Sequence, residues 1–127
     1  MTDCLDSWAI LAWLEGEEPA ASRVELALQS RPIMSWINLG EVAYVLERRI
    51  SAEHSSRVVR ELRRVLELDL RSEERVLAAA RLKARHSMAY ADAFAIATAV
   101  AHSAELLTGD PEILGAEADW QLGDLRR

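Results

Sequence analysis

The 127-residue chain carries 21 acidic against 15 basic residues, a formal net charge of −6, and 50% of it is hydrophobic. An acidic balance excludes a generic nucleic-acid coat, which needs a strongly basic surface, and the single cysteine, Cys4, excludes an internal disulfide framework and suits a reducing cytoplasm. The length fits one domain over residues 1–127, and neither Met1-Thr2-Asp3 nor the Ala-rich run from Ala89 to Ala101 has the make-up of a secretion signal or a membrane span, so a cytoplasmic protein is expected.

Asp3-Cys4-Leu5-Asp6 reads as a first strand that ends in an acid, with Cys4 a buried thiol that has no basic neighbour to activate it. Ser7 is placed to cap a helix over Trp8–Leu14, which Glu15-Gly16 stops. A second helix is expected from near Pro19, a residue tolerated in a first turn, to about Gln29. Pro32–Ser35 reads as a second strand, followed by a helix through Glu41 to Arg49, and Ser51-Ala52-Glu53-His54 opens another to about Arg64. Val65–Leu68 suggests a third strand, and Arg71 or Ser72 starts a helix to about Ala84. Tyr90–His102 is the next helix and Glu105–Thr108 the next strand, broken by Gly109-Asp110-Pro111, a strong turn signal. Ala118–Leu122 is placed as an edge strand, and no repeat or linker interrupts the chain. Short apolar runs alternating with helical patterns argue for a mainly parallel α/β sheet covered by helices.

Four acids stand where an acid is structurally awkward. Residues four apart share a helical face, so Asp92 interrupts the apolar row Met88–Asp92–Ile96, and Glu41 interrupts Ile37–Glu41–Val45. A buried carboxylate is costly without a partner, and a divalent cation is a common partner for several at once. Asp6 ends the first strand and Asp110 follows the late one, which puts both at the carboxyl edge of the sheet, where parallel α/β proteins bind ligands. Taken singly, each of the four also reads as a capped turn or a paired surface acid.

Leu5-Asp6-Ser7, Ser35 with Asn38-Leu39-Gly40-Glu41-Val42, Ala91-Asp92-Ala93 with Ala95-Ile96-Ala97, and Leu107-Thr108-Gly109-Asp110 occur in that order across nearly the whole chain. In these pieces the sequence resembles the PIN-domain ribonucleases, particularly the small VapC-type toxins of prokaryotic toxin–antitoxin pairs. The resemblance implies a PIN-like (Rossmann-like) α/β/α sandwich and a Mg²⁺- or Mn²⁺-dependent endoribonuclease. It also implies a homodimer held inactive by a cognate antitoxin whose C-terminal segment occupies the active-site groove. Carried over by position, Asp6, Glu41, Asp92 and Asp110 form the acidic quartet, Ser7 matches a hydroxyl residue that steadies the first acid, and Thr108 matches the hydroxyl residue preceding the last. The chain departs from the pattern at Trp8, where a small residue is commoner, and at Glu112, an extra acid beside Asp110.

The chemistry is intelligible from the residues themselves. Mg²⁺ and Mn²⁺ prefer oxygen ligands, and clustered carboxylates can hold them for in-line phosphodiester hydrolysis. Asp6 and Asp92 are assigned as direct ligands, with Glu41 and Asp110 acting through water or orienting the nucleophile. An RNA substrate also needs a rim of bases, for which Arg48, Arg49 and Arg85 are candidates. Arg57, Arg60, Arg63 and Arg64 read either as a solvated helix face or as a phosphate-steering rim. His54, His86 and His102 lack a shared metal-ligand spacing. The four tryptophans, Trp8, Trp13, Trp36 and Trp120, read as core or dimer-interface packing, with stacking on single-stranded bases as the alternative. Two other readings compete. A haloacid-dehalogenase-type phosphatase would need an acid at position 8, where Trp8 stands, and a lysine that Lys83 fits poorly. A catalytically inactive PIN module would bind RNA or protein without cutting.

Overall fold

In the computed structural model, which describes residues 2–70, 72–116 and 118–127, the chain runs β1 (Asp3–Leu5), α1 (Ser7–Glu15), α2 (Ala20–Leu28), β2 (Ile33–Ser35), α3 (Trp36–Arg49) and α4 (Ala52–Val65). It continues with β3 (Glu67–Asp69), α5 (Ser72–Arg85), α6 (Tyr90–Ala101), β4 (Glu105–Thr108), α7 (Pro111–Leu114) and β5 (Leu122–Asp124). The strands form one sheet in the order β3-β2-β1-β4-β5, and all four pairings are parallel. Leu5 lies opposite Met34 on one side and Leu107 on the other.

The period-two alternation of a strand divides the core. Leu5, Met34 and Leu107 join Ile10, Val24, Leu39, Val42 and Leu62 on the face covered by α1 to α4. Cys4, Ile33 and Leu106 point the other way, into a cluster with Ala79, Phe94 and Ile96 from α5 and α6. The result is the α/β/α sandwich that the sequence resemblance implies. α6 is buried continuously from Asp92 to Ala99, which its small Ala side chains allow. Cys4 is fully buried, and that burial pushes its thiol well above the ordinary range, so it is the inert thiol expected. Met34 and Met88 are both buried. Trp8, Trp13 and Trp36 pack half-buried on the first cluster and Trp120 on the second.

Several boundaries differ from the sequence reading. The third strand is Glu67–Asp69 rather than Val65–Leu68, because α4 persists through Val65. The edge strand is Leu122–Asp124, and Ala118 and Asp119 lie outside it. Pro19 precedes its helix as the cap residue. Ser7 is not the cap of α1: Asp6 takes that place, its Oδ1 accepting the Ala9 N–H at 2.9 Å. Gly109-Asp110-Pro111 is more than a turn, since Asp110 caps the short α7 with Pro111 in its first position. Arg71, considered as a helix start, lies outside the described residues.

The outer strand β3 is fastened by charge. Asp69 receives Arg75 Nε at 2.8 Å and lies 2.9 Å from His102 Nε2, joining β3 to α5 and to the end of α6. Burial alone would raise the Asp69 carboxyl, but these partners hold it below the usual carboxylate range. No helix among the described residues is long and apolar enough to cross a membrane.

Candidate metal centre

The strand order reverses between β1 and β4, and the ends of those two strands bound the crevice in which an open α/β sheet binds ligands. Asp6 follows β1 directly, and Thr108 and Asp110 stand at the end of β4. Each acid is held there by a local device. Asp6 caps α1, and Asp110 Oδ1 accepts the Glu112 N–H at 2.8 Å. Asp92, in the first turn of α6, accepts the Ala89 N–H on Oδ2 at 3.3 Å. The N-terminal ends of α1 and α6, where unpaired N–H groups favour negative charge, therefore meet the acids.

Oxygens of Asp92, Asp110 and Glu112 all lie within 4.8 Å of one another. Asp6 is 2% exposed. Its Oδ2 accepts the Thr108 hydroxyl, and that same hydroxyl accepts the Asp110 N–H at 2.9 Å. Burial pushes the Asp6 carboxyl up to about 7 against the hydrogen bonds from Thr108 and Ala9, and the Asp110 and Asp92 carboxylates add to the rise. Asp92 is raised as well, by burial first and then by the Asp110 carboxylate. Carboxyl groups are thus crowded at one mouth of the sheet, where burial and mutual repulsion outweigh the hydrogen bonds that favour their charged forms.

Four residues take contacts that the sequence reading did not assign them. Glu112, noted only as an extra acid, joins the cluster, and its Oε2 also accepts the Ala89 N–H at 3.1 Å. Asp6 is tied to that oxygen cluster only through Thr108 and is not one of its three members, and neither is Glu41. It sits on the third helix within reach of α1, where the Ser7 hydroxyl donates to its Oε1 at 2.5 Å. Ser7 therefore serves Glu41, and the hydroxyl that steadies Asp6 belongs to Thr108. Asn38, three residues after Ser35 in the same motif, is 1% exposed and donates from Nδ2 to the Ala91 carbonyl at 3.0 Å, tying α3 to the peptide before Asp92. The sequence signal for it is its place in the motif Asn38-Leu39-Gly40-Glu41-Val42, one turn before Glu41.

The expected rim bases make other contacts. Arg49 pairs with Glu15 at 2.9 Å, and the Arg48 guanidinium lies 5.3 Å from the centre of the Tyr44 ring. Arg85 lines a cavity with His86 and Trp120 between α5, α6 and the segment before β5. On α4, Arg63 lies 5.3 Å over the Trp36 ring, while Arg57, Arg60 and Arg64 are exposed. Lys83 Nζ donates at 3.0 Å to the carbonyl of Met88, next to Ala89, whose N–H bonds Asp92 and Glu112.

The family model for the PIN domain matches residues 4–117, and the chain belongs to that family. Among solved structures, the chain is similar to VapBC2 from Rickettsia felis bound to a promoter DNA fragment, at 17% identity and a TM-score of 0.77 over 98% of each chain. It is similar to VapBC-1 from nontypeable Haemophilus influenzae, at 22% identity and a TM-score of 0.76 over 100% of both chains. A third is VapC20 from Mycobacterium tuberculosis, a sarcin-ricin-loop-cleaving toxin, at 16% identity and a TM-score of 0.76, covering 93% of this chain and 97% of that one. At these identities the likeness is one of fold. No curated protein gives a significant sequence match.

Proposed function

We propose that this chain is a divalent-metal-dependent endoribonuclease, the toxin of a type II toxin–antitoxin pair, acting as a single PIN-like domain in the cytoplasm. The observation that carries the reading is the meeting of Asp92, Asp110 and Glu112 oxygens within 4.8 Å, beside buried Asp6, at the crevice of a PIN fold. The donor set is all oxygen, which fits Mg²⁺ or Mn²⁺ and not a site built for zinc. Asp6, Asp92 and Asp110 are the residues to hold the ion, with Glu112 as an added ligand. Glu41, fixed by Ser7, is assigned to orient water at the edge of the site. When bound, such an ion supplies Lewis-acid stabilisation of phosphate oxygens and lowers the pKa of a bound water. A cation here also reverses the local field, which reconciles a chain of net charge −6 with an anionic substrate.

The partner reading has its own support. An apolar groove of about 620 Å³ opens among α1, α2 and α4, lined by Trp13, Leu14, Leu28, Val58 and Leu62. Such a surface suits cover by an antitoxin segment. Tyr44 and Leu77, 51% and 52% exposed on α3 and α5, are apolar surface for a homodimer. Lys83 and the exposed arginines of α4 are candidates to contact RNA phosphates, alongside Arg48, Arg49 and Arg85.

The deciding test is incubation of the purified protein with total RNA. Cleavage is expected with Mg²⁺ or Mn²⁺, and none with EDTA or after Asp6→Asn. Undiminished cleavage in EDTA would end the metal-nuclease reading, and RNA bound without cleavage by the parent would favour the inactive module.

A further inference from the structure

Trp8, where the chain departs from the small residue common in its family, meets Gly109, the residue between Thr108 and Asp110. A side-chain carbon placed on Gly109 would lie 2.3 Å from Trp8 Cη2, 2.4 Å from Cζ2 and 2.5 Å from Cζ3. Three adjoining ring atoms at nearly equal distance put that carbon over the face of the six-membered ring rather than beyond its edge. Gly16 is the one described glycine with a positive φ, so the backbone at 109 does not demand glycine for its conformation. What demands it is space, because the ring lies where a side chain would stand.

The position of this contact gives it a consequence. Trp8 is two residues after Asp6 in the first turn of α1, and Gly109 is one residue before Asp110. Thr108, on the other side of Gly109, is bonded to Asp6. The ring therefore sets how closely the Thr108-Gly109-Asp110 segment approaches the start of α1.

We infer that Trp8 is a positioning residue: its ring and the missing side chain at Gly109 form a size-matched pair that fixes Asp110 relative to Asp6, and so tunes the grip of the acids on a divalent cation. This rests on the metal-site reading above. Carbon atoms prefer a separation of about 3.5–4.0 Å, so a methyl group at 109 forces a displacement of about 1 Å or more. Metal–ligand distances tolerate only about 0.2 Å of error, and Mg²⁺ demands near-octahedral geometry. A shift too small to disturb the fold is thus large enough to disturb the site.

The test is calorimetric titration of Mn²⁺ into metal-free protein, alongside thermal melting in EDTA. Gly109→Ala is expected to weaken Mn²⁺ binding tenfold or more, and Trp8→Leu several-fold, each with a cooperative melt retained. In the double variant the smaller Leu makes room for the methyl group, and most of the lost affinity should return. Such rescue is not expected of two residues that serve the fold alone. The inference is overturned if Gly109→Ala binds Mn²⁺ as tightly as the parent, or if the double variant binds no better than Gly109→Ala. Should Gly109→Ala fail to fold, Trp8→Leu decides: weaker binding with a retained melt supports the inference, and unchanged binding overturns it. A parent that binds no Mn²⁺ removes the metal-site reading itself, an outcome distinct from variants that bind as the parent does.

Discussion

The hydroxyl of Thr108 donates to Asp6 Oδ2, 102 residues away in sequence, and accepts the Asp110 N–H at 2.9 Å. One side chain thereby joins two candidate ligands across the β1–β4 boundary. Thr108→Val keeps the shape, removes both bonds and leaves a buried carboxylate oxygen short of a donor. The expected cost is about 1–3 kcal/mol, measured by urea unfolding in EDTA at a pH above the Asp6 ionisation. Thr108→Ser should retain most of the stability, and equal midpoints for Val and Thr would contradict the bond.

The metal-free protein should lose stability as pH rises through the weakly acidic range. Asp6 has a folded value of about 7 against an ordinary 3.8, and Asp92 shifts in the same direction. Between those limits the folded protein keeps protons that the unfolded chain has released, so stability falls with rising pH and levels off above about 7. Asp69, shifted down, acts in the opposite sense, but only as pH drops through the acid range below its ordinary value. In EDTA the urea midpoint is expected to be lower at about pH 8 than at about pH 5, with the slope reduced in Asp6→Asn. A midpoint that rises across this range, with no change in Asp6→Asn, would show that the acids are not crowded.

Asp92→Asn separates a site acid from a structural one. It keeps an oxygen for the Ala89 N–H and removes one of the crowded charges, so the metal-free variant should be more stable at neutral pH by about 1 kcal/mol or more. The same change should abolish cleavage and weaken the Mn²⁺-induced rise in melting temperature, which depends on ligand affinity by mass action. A lower melting temperature in EDTA with the Mn²⁺ response intact would remove Asp92 from the site.

Glu112 and Glu41 divide in the same assay. Glu112→Gln should weaken the Mn²⁺ response, because its carboxylate stands among those of Asp92 and Asp110. Glu41→Gln should leave more of that response in place, because Glu41 lies outside the cluster, yet it should slow cleavage. The reverse order in a thermal-shift titration would exchange the two assignments.

Two ion pairs with similar distances should differ sharply in worth. Arg75 meets Asp69 at 2.8 Å with side chains 10% and 5% exposed, whereas Arg49 meets Glu15 at 2.9 Å with side chains 60% and 48% exposed. Breaking a buried pair costs about 3–5 kcal/mol, and without Arg75 the buried Asp69 keeps only His102. An exposed pair is worth about 0–1 kcal/mol. Arg75→Met should therefore lower the unfolding free energy by several-fold more than Arg49→Met, and equal losses would show that β3 does not depend on the pair.

What the sequence by itself determined was local. Short apolar runs such as Asp3–Asp6 and Glu105–Thr108, alternating with helical patterns broken by Gly and Pro, specify a parallel α/β order. The row Met88–Asp92–Ile96 marks an acid in a buried helix. These features depend on residues within a turn of one another, and the PIN-domain match over residues 4–117 bears out the family they resemble. Only the tertiary structure decided which side chains serve which acids. The Ser7 hydroxyl was free to cap its own helix, but Asp6 does so and Ser7 turns to Glu41, 34 residues away. Glu112 reads as an extra acid beside Asp110 that adds to a ligand or replaces one, and the fold brings it against Asp92. Asp69, Arg75 and His102 carry no shared motif and meet only because β3 lies beside the helices that cover it. Strand order sets those encounters, and strand order follows from how the whole core packs, which no local window of residues encodes.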